Sequence, residues 1–165
     1  MSTYILTARI DANNQRLFDE LRELHFPKER NFLKAHLTLF HTLPDVPELR
    51  EVLEAIELKP ITATVSSLRN MGHGVAYFIL SEPLENLRVM LRRNLEHHLS
   101  LQDKQPFKPH ITIQNKVNSD QAKALFKKLN AFFEPFELTI HGLDLWTYLN
   151  GPWEHSGYFP FLETQ

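Results

Sequence analysis

Cysteine is absent from this 165-residue chain, which excludes a disulfide framework, a thiolate metal site and a cysteine nucleophile. No sign of charge is in excess. The 18 Lys and Arg against 20 Asp and Glu leave a net charge of -2, so the chain does not read as a basic domain that holds duplex DNA by counterion release. No apolar run approaches the length of a membrane-spanning helix, and no membrane association is expected. The opening residues, MSTYILTARI, lack a basic stretch ahead of a long apolar one. They read as a strand and not as a signal peptide, so a cytoplasmic chain is expected. The nine histidines contain no His-x-His or His-Glu-x-x-His arrangement, and no metal is expected. Asn70-Met71-Gly72-His73-Gly74 is too short for a nucleotide phosphate loop and reads as a rim loop.

What is present is a globular composition, with 42% hydrophobic and 23% charged residues. The length suits one domain or two small lobes sharing an interface. Tyr4 to Ile10 reads as a buried strand. Asp11 caps a helix with Leu17, Leu21 and Leu24 at helical spacing, ended by Pro27. HLTLFHTL, from His36 to Leu43, is a second strand. Pro47 opens a helix striped by Leu49, Val52, Leu53 and Ile56. ITATVSSL alternates as a half-buried strand, and the apolar VAYFIL reads as a central one. Ser81 caps a helix carrying Leu84, Leu87, Leu91 and Leu95. HITIQ follows as a strand, and Ser119 is expected to cap a helix with Ala122, Leu125, Leu129 and Phe132. FELTIHGLDLWTYL is a long strand, and Asn150-Gly151 signals a hairpin into a last one.

The order strand, helix, His-x-Thr strand occurs at 4–41 and again at 75–114. The expectation is an α+β fold: one bilobal domain over 1–165, built from two duplicated strand-helix-strand units. Two antiparallel-rich sheets would flank a central groove, with helices outside. A side-chain period of two puts His36 and Thr38 on one strand face, and His110 and Thr112 on another. Leu37, Leu39, Ile111 and Ile113 then point inward. Two such pairs facing one groove suit phosphodiester chemistry. One neutral imidazole takes a proton from the attacking water or hydroxyl, and a protonated one gives a proton to the leaving oxygen. The threonine hydroxyls hold the non-bridging phosphate oxygens.

HLTL at 36–39 and HITI at 110–113 resemble the paired signatures of the 2H phosphoesterase superfamily, which includes 2′-5′ RNA ligases and RNA 2′,3′-cyclic phosphodiesterases. The resemblance covers both units, the motif spacing and the overall length. It implies a bilobal fold with a central groove and metal-independent action on 2′,3′-cyclic phosphates or 2′-5′ linkages, with no cofactor. It also implies His110 as base and His36 as acid, although the residues themselves leave these roles interchangeable. The partner is then a small nucleotide or RNA terminus, and the chain a monomer. A non-catalytic nucleotide- or RNA-end-binding module of the same fold is the alternative. Bacterial cyclic phosphodiesterases of that superfamily often continue the second motif with an arginine; here the continuation is Gln114-Asn115-Lys116. Lys116 shares the face of His110 and Thr112 only if the strand stays regular that far.

Other residues invite a substrate role. Lys34 and Lys108 each stand two residues before a motif histidine, placed to attract an anion at the groove mouth. Trp146 and Tyr148 share a strand face and can stack on a base, or serve the core. His41 has the opposite parity to His36 and is expected to be structural or at an edge. His97-His98 ends a helix, where a cation is favoured. His141 and His155 are expected to face solvent unless the groove takes them in.

Overall fold

The computed structural model describes residues 2–162. Seven strands and four α-helices follow the order β1 (Thr3–Ile10), α1 (Ala12–His25), β2 (Leu37–Pro44), α2 (Pro47–Glu54), β3 (Ile61–Asn70), β4 (Val75–Leu80), α3 (Glu82–Leu95), β5 (His110–Gln114), α4 (Ser119–Asn130), β6 (Phe136–Tyr148) and β7 (Trp153–Pro160). Two single turns of 3₁₀-helix, at Lys28–Arg30 and Glu96–His98, complete it. Among the described residues no helix is long and apolar enough to cross a membrane.

The strands run in the order β1-β2-β5-β4-β3-β6-β7, and β1 also pairs with β6. All pairings are antiparallel. The long β6 divides its partners: Phe136 to Ile140 pair with β3, while Gly142 to Tyr148 pair with β7. Two four-stranded halves result, β7-β6-β1-β2 and β5-β4-β3-β6. They share β6 at one side and meet at the other through one residue pair, Leu37 opposite Ile111. The halves are thus one hydrogen-bonded surface with two narrow joints, and the motif strands lie at the second joint.

Local chemistry accounts for the elements. Asp11 caps α1 by accepting from the Asn14 amide, and Ser81 caps α3 by accepting from Leu84. The cap of α4 is Asn118 and not Ser119; its side chain accepts from the Gln121 amide while Gln121 accepts in return from the Asn118 amide. This reciprocal pair satisfies two otherwise orphaned donors, which Ser119 alone could not do. Leu84, Leu87, Leu91 and Leu95 are buried as their spacing predicts. α1 departs from its expected stripe: Leu17 and Leu24 are exposed, and the buried residues are Phe18 and Arg22. Phe18 sits edge-on to Tyr77 of β4 and stacked near Phe136 of β6, 5.3 and 6.2 Å between centroids. That aromatic contact rotates α1 away from its leucines. Phe132 lies past the end of α4 and is also exposed.

The helices cross over. α1, which precedes β2, packs against β5. α3, which precedes β5, reaches back to β2: the Arg88 Nε donates to the Leu39 carbonyl at 2.8 Å. In reciprocal fashion, Arg22 Nη1 of α1 donates to the Thr112 carbonyl at 3.0 Å. Each motif strand is therefore held by an arginine from the other unit's helix.

Candidate active site

Continuing the Leu37–Ile111 register by one residue each way sets His36 across from Thr112, and Thr38 across from His110. All four line one cleft of about 330 Å³, together with Leu39, His41, Arg88, Gln102, Asp103, Gln105, Pro106, Phe107 and Lys108. The two histidines are held alike. His36 Nδ1–H donates to the Lys34 carbonyl at 2.8 Å, and His110 Nδ1–H donates to the Lys108 carbonyl at 2.7 Å. A carbonyl only accepts, so each Nδ1 carries the proton and each Nε2 is left as the ring nitrogen that can exchange one. The rings are steadied by aromatic neighbours: His36 lies 4.6 Å from the Trp153 ring, and His110 stacks on Phe78 at 5.2 Å.

The two histidines differ in surroundings. Burial pushes the His36 imidazole down to about 4, against the pull of the Lys34 carbonyl; Arg22, His41 and His110 nearby push it further. In the free protein near neutral pH this ring is uncharged. An anion entering the cleft would supply the counter-charge that favours imidazolium.

The lining also includes residues that the sequence did not single out. Arg88 is buried, and burial lowers its pKa. Its Nη2 donates to the Asp103 carbonyl at 2.6 Å, its guanidinium covers Phe40 at 3.9 Å, and Nη1 takes no acceptor among the described residues. One edge of a guanidinium is therefore left for the cleft. The sequence held a signal: Arg88 stands on the apolar side of α3, one turn from Leu84 and next to Leu87. Asp103 is buried as well. Burial would raise its carboxyl, but bonds from the His41 ring, the His41 amide and the Thr42 amide outweigh this and lower it.

His41 lines the cleft despite its parity. The β1–β2 register slips twice between Tyr4 and Thr7, and Leu39 and Phe40 are both buried in succession. Such bulges reset which side of a strand a residue faces. Lys108 lines the cleft, whereas Lys34 lines a neighbouring, larger one that also contains His36 and Trp146. Lys116 and Tyr148 line neither. β5 ends at Gln114 and Lys116 adopts a φ of 61°, so the regular strand that its parity required is not there. Tyr148 sits exposed at the end of β6. His141 lines the neighbouring cleft, and His155 Nε2 bonds to Asp144 at 2.8 Å. Among the described residues no group of three His, Asp or Glu side chains is gathered to hold a metal ion.

Residues 10–152 match the family model of the 2′-5′ RNA ligase superfamily. The chain belongs to this superfamily. This is the 2H phosphoesterase family. Among solved structures, apo LigT of E. coli matches with a TM-score of 0.66 at 18% identity, over 99% of this chain and 98% of that one. TT0787 of Thermus thermophilus matches with a TM-score of 0.66 at 18% identity, over 96% and 97%. LigT has also been solved with 3′-AMP bound; that structure gives a TM-score of 0.66 at 16% identity, over 97% of this chain and 98% of that one. At these identities the likeness is one of fold. No curated protein sequence matches the chain. For a 2′-5′ RNA ligase superfamily member, the mixed α/β fold with an antiparallel sheet is the expected one.

Proposed function

We propose that the protein is a phosphoesterase that opens a 2′,3′-cyclic phosphate or cleaves a 2′-5′ phosphodiester at a nucleotide or RNA end. The observation that carries this reading is the matched pair of imidazoles in one cleft, each with Nδ1 tied to the carbonyl two residues earlier. That arrangement holds two proton-exchanging Nε2 atoms on a rigid frame. His110 Nε2 takes the proton of an attacking water as its oxygen bonds to phosphorus. The opposite phosphorus–oxygen bond breaks, and the leaving oxygen takes a proton from His36 Nε2. Thr38, Thr112 and the Nη1 edge of Arg88 donate to the non-bridging oxygens, where negative charge must be held. His36 is uncharged in the free cleft, so in this scheme it gains its proton as the anionic substrate binds.

Arg88 offers an answer to the Lys116 departure: cationic help comes from α3 and not from the residues after the second motif. The test is turnover in EDTA against 2′,3′-cyclic nucleotides, 3′,5′-cyclic controls and short RNAs with cyclic-phosphate ends. Hydrolysis of the 2′,3′-cyclic members alone, free or at an RNA end, is expected, and the position of the product phosphate identifies the leaving oxygen. Binding without turnover on every member would turn the reading to a nucleotide-binding module.

A further inference from the structure

His36 belongs to two clefts at once. The second, which reaches His36 but not His110, has a volume of about 820 Å³, within the size range of small-molecule sites. Its walls are aromatic. The Trp153 ring neighbours both His36 and Trp146, 4.6 and 6.1 Å from them, and exposed Phe32 adds a further face. At the rim the Arg9 guanidinium is bound to both Asp144 oxygens, at 2.7 and 3.0 Å, and lies 3.5 Å over the Tyr158 ring. Lys34 adds an exposed cation with no ion pair among the described residues.

Several polar groups of this cleft are already engaged, while the His141 ring and Trp153 Nε1 take no bond among the described residues. Trp146 Nε1 donates to Thr7 Oγ1 at 2.9 Å, Asp144 accepts from Arg9 and His155, and the Gln15 amide donates to Asp19 and the Ala35 carbonyl. The cleft thus offers ring faces and positive charge, with few free groups to read a base edge. Aromatic faces bind any base, because every base has a π-face, and stacking alone discriminates little among them.

We propose that the tryptophan cleft is a base-tolerant nucleoside subsite, holding the base that is joined to the scissile phosphate through the oxygen on His36's side. The proposal rests on the phosphoesterase reading for its orientation. It places the nucleoside beyond His36, and leaves the His110 side of phosphorus to the entering water.

The chain contains two tryptophans, and both line this cleft, so intrinsic fluorescence reports its occupancy. Full-length His110→Ala protein, which isolates binding from turnover, is titrated with the 3′-monophosphates of all four nucleosides and with base-free ribose phosphate. Saturable quenching by every nucleotide is expected, with affinities within about fivefold of one another. Ribose phosphate is expected to bind at least tenfold more weakly and without quenching. Phe32→Ala and Trp153→Leu should each weaken nucleotide binding at least fivefold relative to ribose phosphate. Equal binding of ribose phosphate and nucleotides, or nucleotide binding by calorimetry with unchanged fluorescence, would overturn the subsite. So would the absence of any nucleotide binding. Quenching without turnover by the unmodified protein would keep the subsite and remove the reaction; turnover without quenching would do the reverse.

Discussion

Replacing Arg88 with Met tests whether the crossed arginines hold the cleft together. Arg88 donates to two carbonyls, Leu39 at 2.8 Å and Asp103 at 2.6 Å. One belongs to the first motif strand and the other to the segment whose Asp103 carboxylate binds the His41 and Thr42 amides. A hydrogen bond to a charged group contributes about 1.5–3 kcal/mol, so losing two costs about 3–6 kcal/mol. Relief from burying the guanidinium, evident in its lowered pKa, returns part of this. The net loss is expected near 3 kcal/mol. In urea, with a slope of about 2 kcal/mol per molar, the unfolding midpoint falls by about 1.5 M. Arg92→Met is the control, because its Glu96 pair spans 3.7 Å at the surface and should change stability by less than about 0.5 kcal/mol. A loss below about 1 kcal/mol for Arg88→Met would refute the reasoning.

The depressed His36 pKa makes two further predictions. The folded ring stays neutral down to about 4, whereas an unfolded histidine protonates near pH 6.5. Stability from this group is therefore present above pH 6.5 and lost as pH falls toward 4. After discounting for the ring's partial exposure, His36→Gln should spare about 2 kcal/mol of that acid loss, measured as the difference in urea stability between pH 7 and pH 4; parallel curves for the two proteins would contradict it. Binding should also take up a proton. Calorimetry of His110→Ala with a 2′,3′-cyclic nucleotide at pH 6, in two buffers of different ionisation enthalpy, is expected to show net uptake that disappears when His36 is also replaced by Ala; equal observed heats in the two buffers for His110→Ala, or uptake that survives the second replacement, would mean His36 is not the group that responds.

Period and punctuation carried most of the fold. The apolar spacing of α3, the Asp11 and Ser81 caps and the Asn150-Gly151 hairpin are local features, and local residues decide them. Asn150 has a φ of 61°, which asparagine tolerates better than most residues. What escaped the sequence is set by distant partners. α1 buries Phe18 and Arg22 in place of Leu17 and Leu24 because Tyr77, Phe136 and the Thr112 carbonyl wait there. His41 turns into the cleft because β2 bulges against β1, and no feature of HLTLFHTL marks where a register will slip. The four motif side chains were legible as candidates from period alone. Asp103 was not, and Arg88 only through its place on the apolar side of α3, because their partners are backbone groups far along the chain. The like anchoring of His36 and His110, and the reciprocal bonds of Arg22 and Arg88, are what duplication of the units at 4–41 and 75–114 would produce. We hold duplication as a proposal on that basis.

The most direct test of the two-histidine account is a double-mutant cycle of His36→Ala and His110→Ala, assayed in EDTA on the best 2′,3′-cyclic or 2′-5′ substrate. General acid and base groups each contribute about 10²–10⁴-fold, and groups that act as a unit are far from additive. Each single variant, folded by its tryptophan fluorescence and urea midpoint, is expected to lose at least about 10²-fold in kcat/KM, and the double variant no more than about tenfold beyond the worse single. A folded single variant that retained more than about a tenth of the activity would contradict the account.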